Sequence, residues 1–274
     1  MVNKFEAEQT ISEALSSSTA PQTTIIPKVL GTILGFKINM SMGATTGTTS
    51  AVTIDNAILS FKISDSNHSP ILESLSGTDI TKLCYLLDPL GYSVTVPDSS
   101  TSASASATMI LNLPISLANQ PIYIDVTLNT LTAGAGAGTT AATFTLNIGV
   151  FFDDSQSAAS LTTQRIAKIP NVSVSSGANK LASKLGQGLN LNKLAFTIGT
   201  DSNLTNFTWE HSGVKELEEV DNATSTALDN AFNLSGHVSG LFNVRMTPAT
   251  VNSSTTFDIT AGAADTVNIY QFYQ

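Results

Sequence analysis

Basic side chains are scarce in this 274-residue chain: twelve Lys and Arg against 21 Asp and Glu leave a formal charge of −9. No Lys or Arg lies between Lys82 and Arg165, and arginine occurs only at Arg165 and Arg245. Nucleic-acid binding needs clustered cations that displace phosphate counterions, so that class is excluded. Charge of either sign is sparse, at 12% of residues against about 25% in ordinary soluble domains. Yet 42% of residues are hydrophobic, the reverse of a disordered chain. Cysteine is represented by Cys84 alone, which rules out an internal disulfide and any Cys/His cluster with metal-ligand spacing. One Trp and five Tyr supply few aromatics for a carbohydrate-binding platform. Long apolar runs are missing too. The longest, Ile25 to Phe36, is interrupted by Pro27 and Lys28 and is too short to cross a bilayer. The opening residues have no basic segment followed by an apolar one, so no secretory signal is read there. The expectation is a soluble chain made in the cytoplasm, its polar surface built from Ser, Thr, Asn and Gly.

What the chain does have is period-two hydrophobicity. Met109, Leu111, Leu113 and Ile115 alternate with other residues, as do Ile122, Ile124, Val126 and Leu128, then Phe144, Leu146, Ile148, Val150 and Phe152. Shorter runs are Leu59-Phe61-Ile63, Tyr92-Val94-Val96, Phe242-Val244-Met246 and Val267-Ile269. Alternation puts one side of each strand into a core and leaves the other wet. Turn-rich stretches separate the runs: Pro97 to Ala107, the Ala/Gly repeat from Ala133 to Gly138, and Asp153 to Thr163. The class is all-β with one or two short helices, in antiparallel sheets with one solvated face.

Two helices are expected. After Ser76-Gly77, the residues Ile80, Leu83, Cys84 and Leu87 fall at i, i+3, i+4 and i+7, with Asp79 at the start and Pro89 as the stop. Cys84 is thereby a core-facing helix residue in apolar surroundings, not a reactive thiol. After Ser212-Gly213, the acidic run Val214 to Val220 is the second candidate. The blocks around them repeat. Asp65-Ser66-Asn67 and Ser76-Gly77 recur as Asp201-Ser202-Asn203 and Ser212-Gly213, at one offset, 201 − 65 = 212 − 76 = 136. The domains expected are an N-terminal arm over 1–25, with Phe5, Ile11 and Leu15 as a short amphipathic helix, a first sandwich over 26–155, a linker over 156–167 and a second sandwich over 168–274.

Chemistry-bearing residues do not assemble into a motif. His68, His211 and His237 stand in loop-like contexts without a nucleophile elbow. Gly186-Gln187-Gly188 lacks the third glycine and preceding strand of a dinucleotide site. The pairs Asp153-Asp154 and Glu218-Glu219 are adjacent, so their side chains diverge. No residue is assigned a catalytic, cofactor-binding or metal role, and no enzyme is expected. The one cofactor the composition admits is a structural calcium, at Asp153 and Asp154 or at Asp201 with Asn203. Triplets such as Asn203-Leu204-Thr205 and Asn206-Phe207-Thr208 accept glycans only where the chain meets the machinery.

The duplicated strand, Asp-Ser-Asn, Ser-Gly, helix block resembles the double jelly-roll major capsid proteins of tailless icosahedral viruses with an internal membrane. The resemblance is architectural and covers about residues 26–274. It implies two tandem jelly-roll β-sandwiches, each of eight strands. It further implies a major capsid subunit in the virion, made in the host cytoplasm. Three such chains would form a pseudo-hexagonal capsomer, in contact with other capsid proteins and without nucleic acid, and the arm would reach the internal membrane. The charge of −9 suits a shell kept from its genome by a bilayer. The alternative is an exported β-rich pilus or adhesin subunit, to which the closing strand Val267 to Tyr273 is similar. Against it stand the missing leader, the missing disulfide and the length.

Overall fold

A computed structural model describes residues 4–14, 22–26, 32–42, 52–53, 58–87, 99–100, 105–116, 120–128, 143–153, 163–232 and 238–274. The chain divides into two units, Met1–Thr163 and Gln164–Gln274.

In the first unit the strands are β1 (Lys4–Ala14), β2 (Gln22–Ile26), β3 (Thr32–Met42), the short β4 (Val52–Thr53), β5 (Ile58–Ser64) and β6 (Pro70–Leu75). Helix α1 (Gly77–Leu87) follows, then the short β7 (Ser99–Ser100), β8 (Ala105–Leu111), β9 (Ile122–Leu128) and β10 (Thr143–Asp153). One sheet has the order β1-β10-β3-β8, and the other four strands lie in the order β6-β5-β9-β2. The alternating runs supply the core: Met109, Leu111, Ile122, Ile124, Val126, Leu146, Ile148 and Val150 are all buried. Each such side chain contributes roughly 1.5–3 kcal/mol on leaving water.

The second unit consists of β11 (Arg165–Val174), β12 (Gly177–Lys180), β13 (Asn190–Ile198), β14 (Leu204–His211) and β15 (Val214–Val220). Helix α2 (Asn222–Phe232), β16 (Phe242–Val244), the short β17 (Ala249–Thr250), β18 (Thr255–Ala261) and β19 (Asp265–Tyr273) complete it. Its sheets run β16-β13-β19-β11 and β12-β18-β14-β15. Phe196 lies at the centre of its core, with ring centroids 5.2 Å from Phe207, 5.1 Å from Phe242 and 5.8 Å from Phe257.

Leaving aside the two-residue strands, each unit has eight strands, and numbering them afresh from one to eight exposes one topology. Both units read 1-8-3-6 in one sheet and 2-7-4-5 in the other, with a helix between the fifth and sixth strands. This is the jelly roll, eight strands in two antiparallel sheets, and the chain carries two in tandem.

The structure corrects four expectations. The run Val214 to Val220 is not a helix but β15, the partner of β14 across a tight hairpin. Ser212 and Gly213 take φ of 52° and 77°, the left-handed pair that a two-residue hairpin turn requires. Leu217 and Val220, three apart as in a helix, stand opposite Trp209 and Phe207, because a bulge at Glu219 (φ 49°) inserts one extra residue. The second helix begins later, at Asn222, where the Asp221 carboxylate accepts a bond from Thr224 N at 2.7 Å as its cap.

The repeat is therefore real in architecture but misaligned in sequence. Asp65-Ser66-Asn67 joins the fourth and fifth strands of its unit, whereas Asp201-Ser202-Asn203 joins the third and fourth. The helices start at Gly77 and Asn222, an offset of 222 − 77 = 145. The nine residues by which this exceeds 136 equal about one strand and its turn.

The arm over 1–25 also differs. Lys4–Ala14 pairs with β10 over its whole length, Lys4 opposite Asp153 and Ala14 opposite Thr143, and Gln22–Ile26 pairs with β9. Phe5 and Ile11, an even number of residues apart, share one face of an extended chain, and pairing along a long neighbour sets that conformation. The two units divide after Thr163, and β11 begins at Arg165. Finally, Leu59 is exposed: a register shift between Ile58 and Ser60 turns Ile58 inward and Leu59 out. The expected strand around Tyr92 and the stop at Pro89 lie outside the described residues.

Candidate functional site

Side chains singled out in the sequence are held apart in local structural roles. Cys84 is fully buried on α1 beside Ile80 and Leu83. That helix starts as expected. Asp79 N donates to Ser76 Oγ at 3.2 Å while Ser76 N donates to the Asp79 carboxylate at 3.1 Å, a reciprocal cap. His68 sits in the β5–β6 turn at φ 59°, its ring 4.6 Å from that of Tyr123. His211 Nδ1 lies 3.2 Å from Thr255 Oγ1 at the end of β14. His237 and Asp154 lie outside the described residues, as does the side chain of Asp153.

The other acidic candidates are engaged by neighbouring groups. Glu218 pairs with Lys215, and Glu219 occupies the bulge with its N–H donating to Thr208 Oγ1 at 3.1 Å. Asp201 accepts a bond from Ser239 Oγ at 2.9 Å, and Asn203 donates its amide N–H to the Asp265 carboxylate at 2.8 Å. Among the described residues no group of three or more His, Cys, Asp or Glu is arranged to hold a metal ion. Gly186 and Gly188 belong to the turn before β13: Gly188 N donates to Val251 O at 2.9 Å with φ 79°. Among the described residues no helix is long and apolar enough to cross a membrane.

Sequence reasoning missed the polar clamp that closes the second sandwich. The Asp265 carboxylate, at the start of β19, accepts bonds from Thr200 N at 2.9 Å, Thr266 N at 2.7 Å and Asn203 Nδ2 at 2.8 Å. It ties the turn between β13 and β14 to the turn between β18 and β19. Burial alone would raise its pKa, but donors from Asn203, Thr266, Thr200 and Gly199 outweigh that and hold it below the ordinary carboxylate value. Gly199 leaves room for the carboxylate: a Cβ there would stand 2.3 Å from Asp265 Oδ1 and push it out of place. No local motif announces the clamp, because Thr200 and Asn203 lie more than sixty positions from Asp265 in the chain.

A second cluster joins α2 to the sheet. Arg245 donates to the Asp229 carboxylate and to Leu228 O, each at 3.2 Å. Lys193 lies nearby, its ammonium 6.0 Å from the centroid of Phe272. Burial first, and then the Arg245 charge, lower its pKa to about 8, against the opposing pull of Asp229.

Hydroxyl side chains on the exposed strand faces are engaged in hydrogen bonds. Thr23 donates to Asp125 at 2.6 Å, and the hydroxyls of Ser60 and Ser74 meet at 2.6 Å. Large apolar side chains exposed among the described residues are Ile25, Leu59 and Val214. Clamped turns and a hydroxyl-rich surface with little charge to desolvate are what these residues present, charged side chains being 12% of the sequence.

Two eight-stranded jelly rolls in one chain define a class, the double jelly-roll fold. Solved structures share it over nearly the whole length. The major capsid protein of Sulfolobus turreted icosahedral virus is similar with a TM-score of 0.63 at 15% identity, over 97% of this chain and 95% of that one. The PBCV-1 virus capsid follows with a TM-score of 0.61 at 12% identity, over 100% and 94%. The major capsid protein of bacteriophage PM2 gives 0.58 at 10% identity, over 97% of each chain. At these identities the likeness is one of fold. No family model matches the sequence, and no curated protein matches it.

Proposed function

We propose that this chain is a major capsid protein, a structural subunit of the virion shell that works by self-assembly and not by catalysis. The observation that carries this reading is the identical strand order of the two sandwiches, 1-8-3-6 and 2-7-4-5 in each. Two equivalent domains per chain and three chains per capsomer give six similar domains around one axis, a nearly hexagonal tile. Full-length similarity to capsid proteins that carry the same pair supports it.

The surface chemistry agrees. Interfaces between copies are most easily desolvated where charge is sparse and hydroxyls are already paired. The deficit of cations, with a net charge of −9, favours a shell separated from its genome by an internal membrane over one packed directly on nucleic acid. Native mass measurement of the full chain at rising concentration tests the reading. Trimers and multiples of trimers are expected; a monomer at high concentration counts against it.

A further inference from the structure

Asn-x-Ser/Thr triplets occur eight times in the chain, and the structure sorts them by what each asparagine amide and each hydroxyl is already doing. Asn203 spends its Nδ2 on the Asp265 carboxylate. Asn39 accepts a bond from Thr108 Oγ1 at 3.0 Å within its sheet. Asn206 lies in β14, where the hydroxyl of Thr208 is occupied by Glu219 N–H. Asn222 opens α2, and Asn171 with Ser173 is part of β11. At Asn67 the turn is organised instead by Asp65, which accepts from both Asn67 N and Ser69 N. Asn233 lies outside the described residues.

Asn252 is different. Like Asn67 to Ser69, the residues Asn252, Ser253 and Ser254 are all exposed, and they lie in the connection between β17 and β18. The Oδ1 of Asn252 accepts from Ser254 N at 2.8 Å and from Ser254 Oγ at 2.6 Å. The hydroxyl two residues on therefore already meets the asparagine side chain, and both bonds fall on Oδ1 and not on Nδ2. Withdrawal of electron density through a doubly bonded Oδ1 makes the amide N–H easier to deprotonate, and the exposed turn admits an enzyme.

We propose that Asn252 is an N-glycan acceptor of the folded chain, taking a sugar from a polyprenyl-diphosphate donor, and that Asn203 is not. Nδ2 attacks the anomeric carbon and the new C–N bond forms. The C–O bond to diphosphate breaks, its electron pair leaves with the polyprenyl diphosphate, and the amide proton passes to a base of the transferring enzyme. The site does not depend on the capsid reading.

Incubation of the folded full-length chain with a single-subunit oligosaccharyltransferase and polyprenyl-diphosphate-linked oligosaccharide, followed by peptide mass analysis, tests it. The Asn252 peptide is expected to gain the sugar mass and the Asn203 peptide to stay unmodified. S254A is expected to lose the addition and S254T to keep it, both with an unchanged β-sheet spectrum. An unmodified Asn252 in the folded chain, equal modification of Asn203, or full modification of S254A would each overturn the proposal.

Discussion

The two sandwiches share their eight principal strands and differ in how they close. In the second unit the third and fourth strands are joined by residues 199–203, and the seventh and eighth by residues 262–264. The same connections in the first unit are 43–57, which contains the short β4, and 129–142. Charge is divided unevenly too: 5 − 12 = −7 over residues 1–163, against 7 − 9 = −2 over 164–274, where both arginines fall. One strand order thus tolerates two styles of closure. The second unit closes on short turns stapled by Asp265 and an Arg245–Asp229 contact, whereas the first spends sequence on long connections. Connections are where a scaffold diversifies its contacts without disturbing its core.

The largest effect on this comparison is expected from the aromatic centre of the second core. F196A removes a ring packed on three others, and a loss of about 3–5 kcal/mol is expected in denaturant unfolding. A loss below about 1 kcal/mol would show that the core does not depend on Phe196. Next comes the clamp. D265A removes three charge-assisted bonds, which water replaces in part at the exposed N–H groups of Thr200 and Thr266, at a cost of about 1–3 kcal/mol.

The clamp also carries a pH signature. A carboxylate whose folded pKa is depressed contributes stability above its unfolded value near 4 and loses it as pH falls through the lower folded value. Wild type should therefore lose stability on acidification more steeply than D265N, and equal acid limbs would remove the clamp from the account. G199A should behave like D265A, because its Cβ collides with the carboxylate.

Lys193 has the opposite sign. Its folded pKa of about 8 lies below the ordinary 10.5, so between those values the unfolded chain holds more protons and stability rises with pH. K193M should flatten that rise in thermal unfolding followed from pH 7.5 to 10, and an unchanged slope would contradict the assignment. The smallest effect is expected at the hairpin bulge. E219V places a β-branched residue at φ 49° and should cost about 1–2 kcal/mol, while E219G should be near neutral.

Much of the fold was legible wherever burial follows a strict period. Met109 to Ile115 and Ile122 to Leu128 alternate because one face of each strand is core, and the capped helix at Gly77 shows its Ser76 and Asp79 in sequence. Legibility failed where a bulge breaks the period. Leu217 and Val220 mimic helical spacing only because Glu219 bulges, and Leu59 mimics a core residue because the register slips beside it. The repeat was visible as an order of elements, but its identities were short strings of common turn residues, which matched one strand out of step. The Asp265 clamp was illegible for another reason. Its geometry depends on two turns brought together by pairing of β13 with β19, information that resides in topology and not in any local string.

Imaging of the purified full-length chain under assembling conditions tests the central claim most directly. The account predicts closed shells or flat arrays tiled by pseudo-hexagonal trimers, with two sandwiches resolved per chain. Linear fibres, or dispersed monomers that never tile, would contradict it.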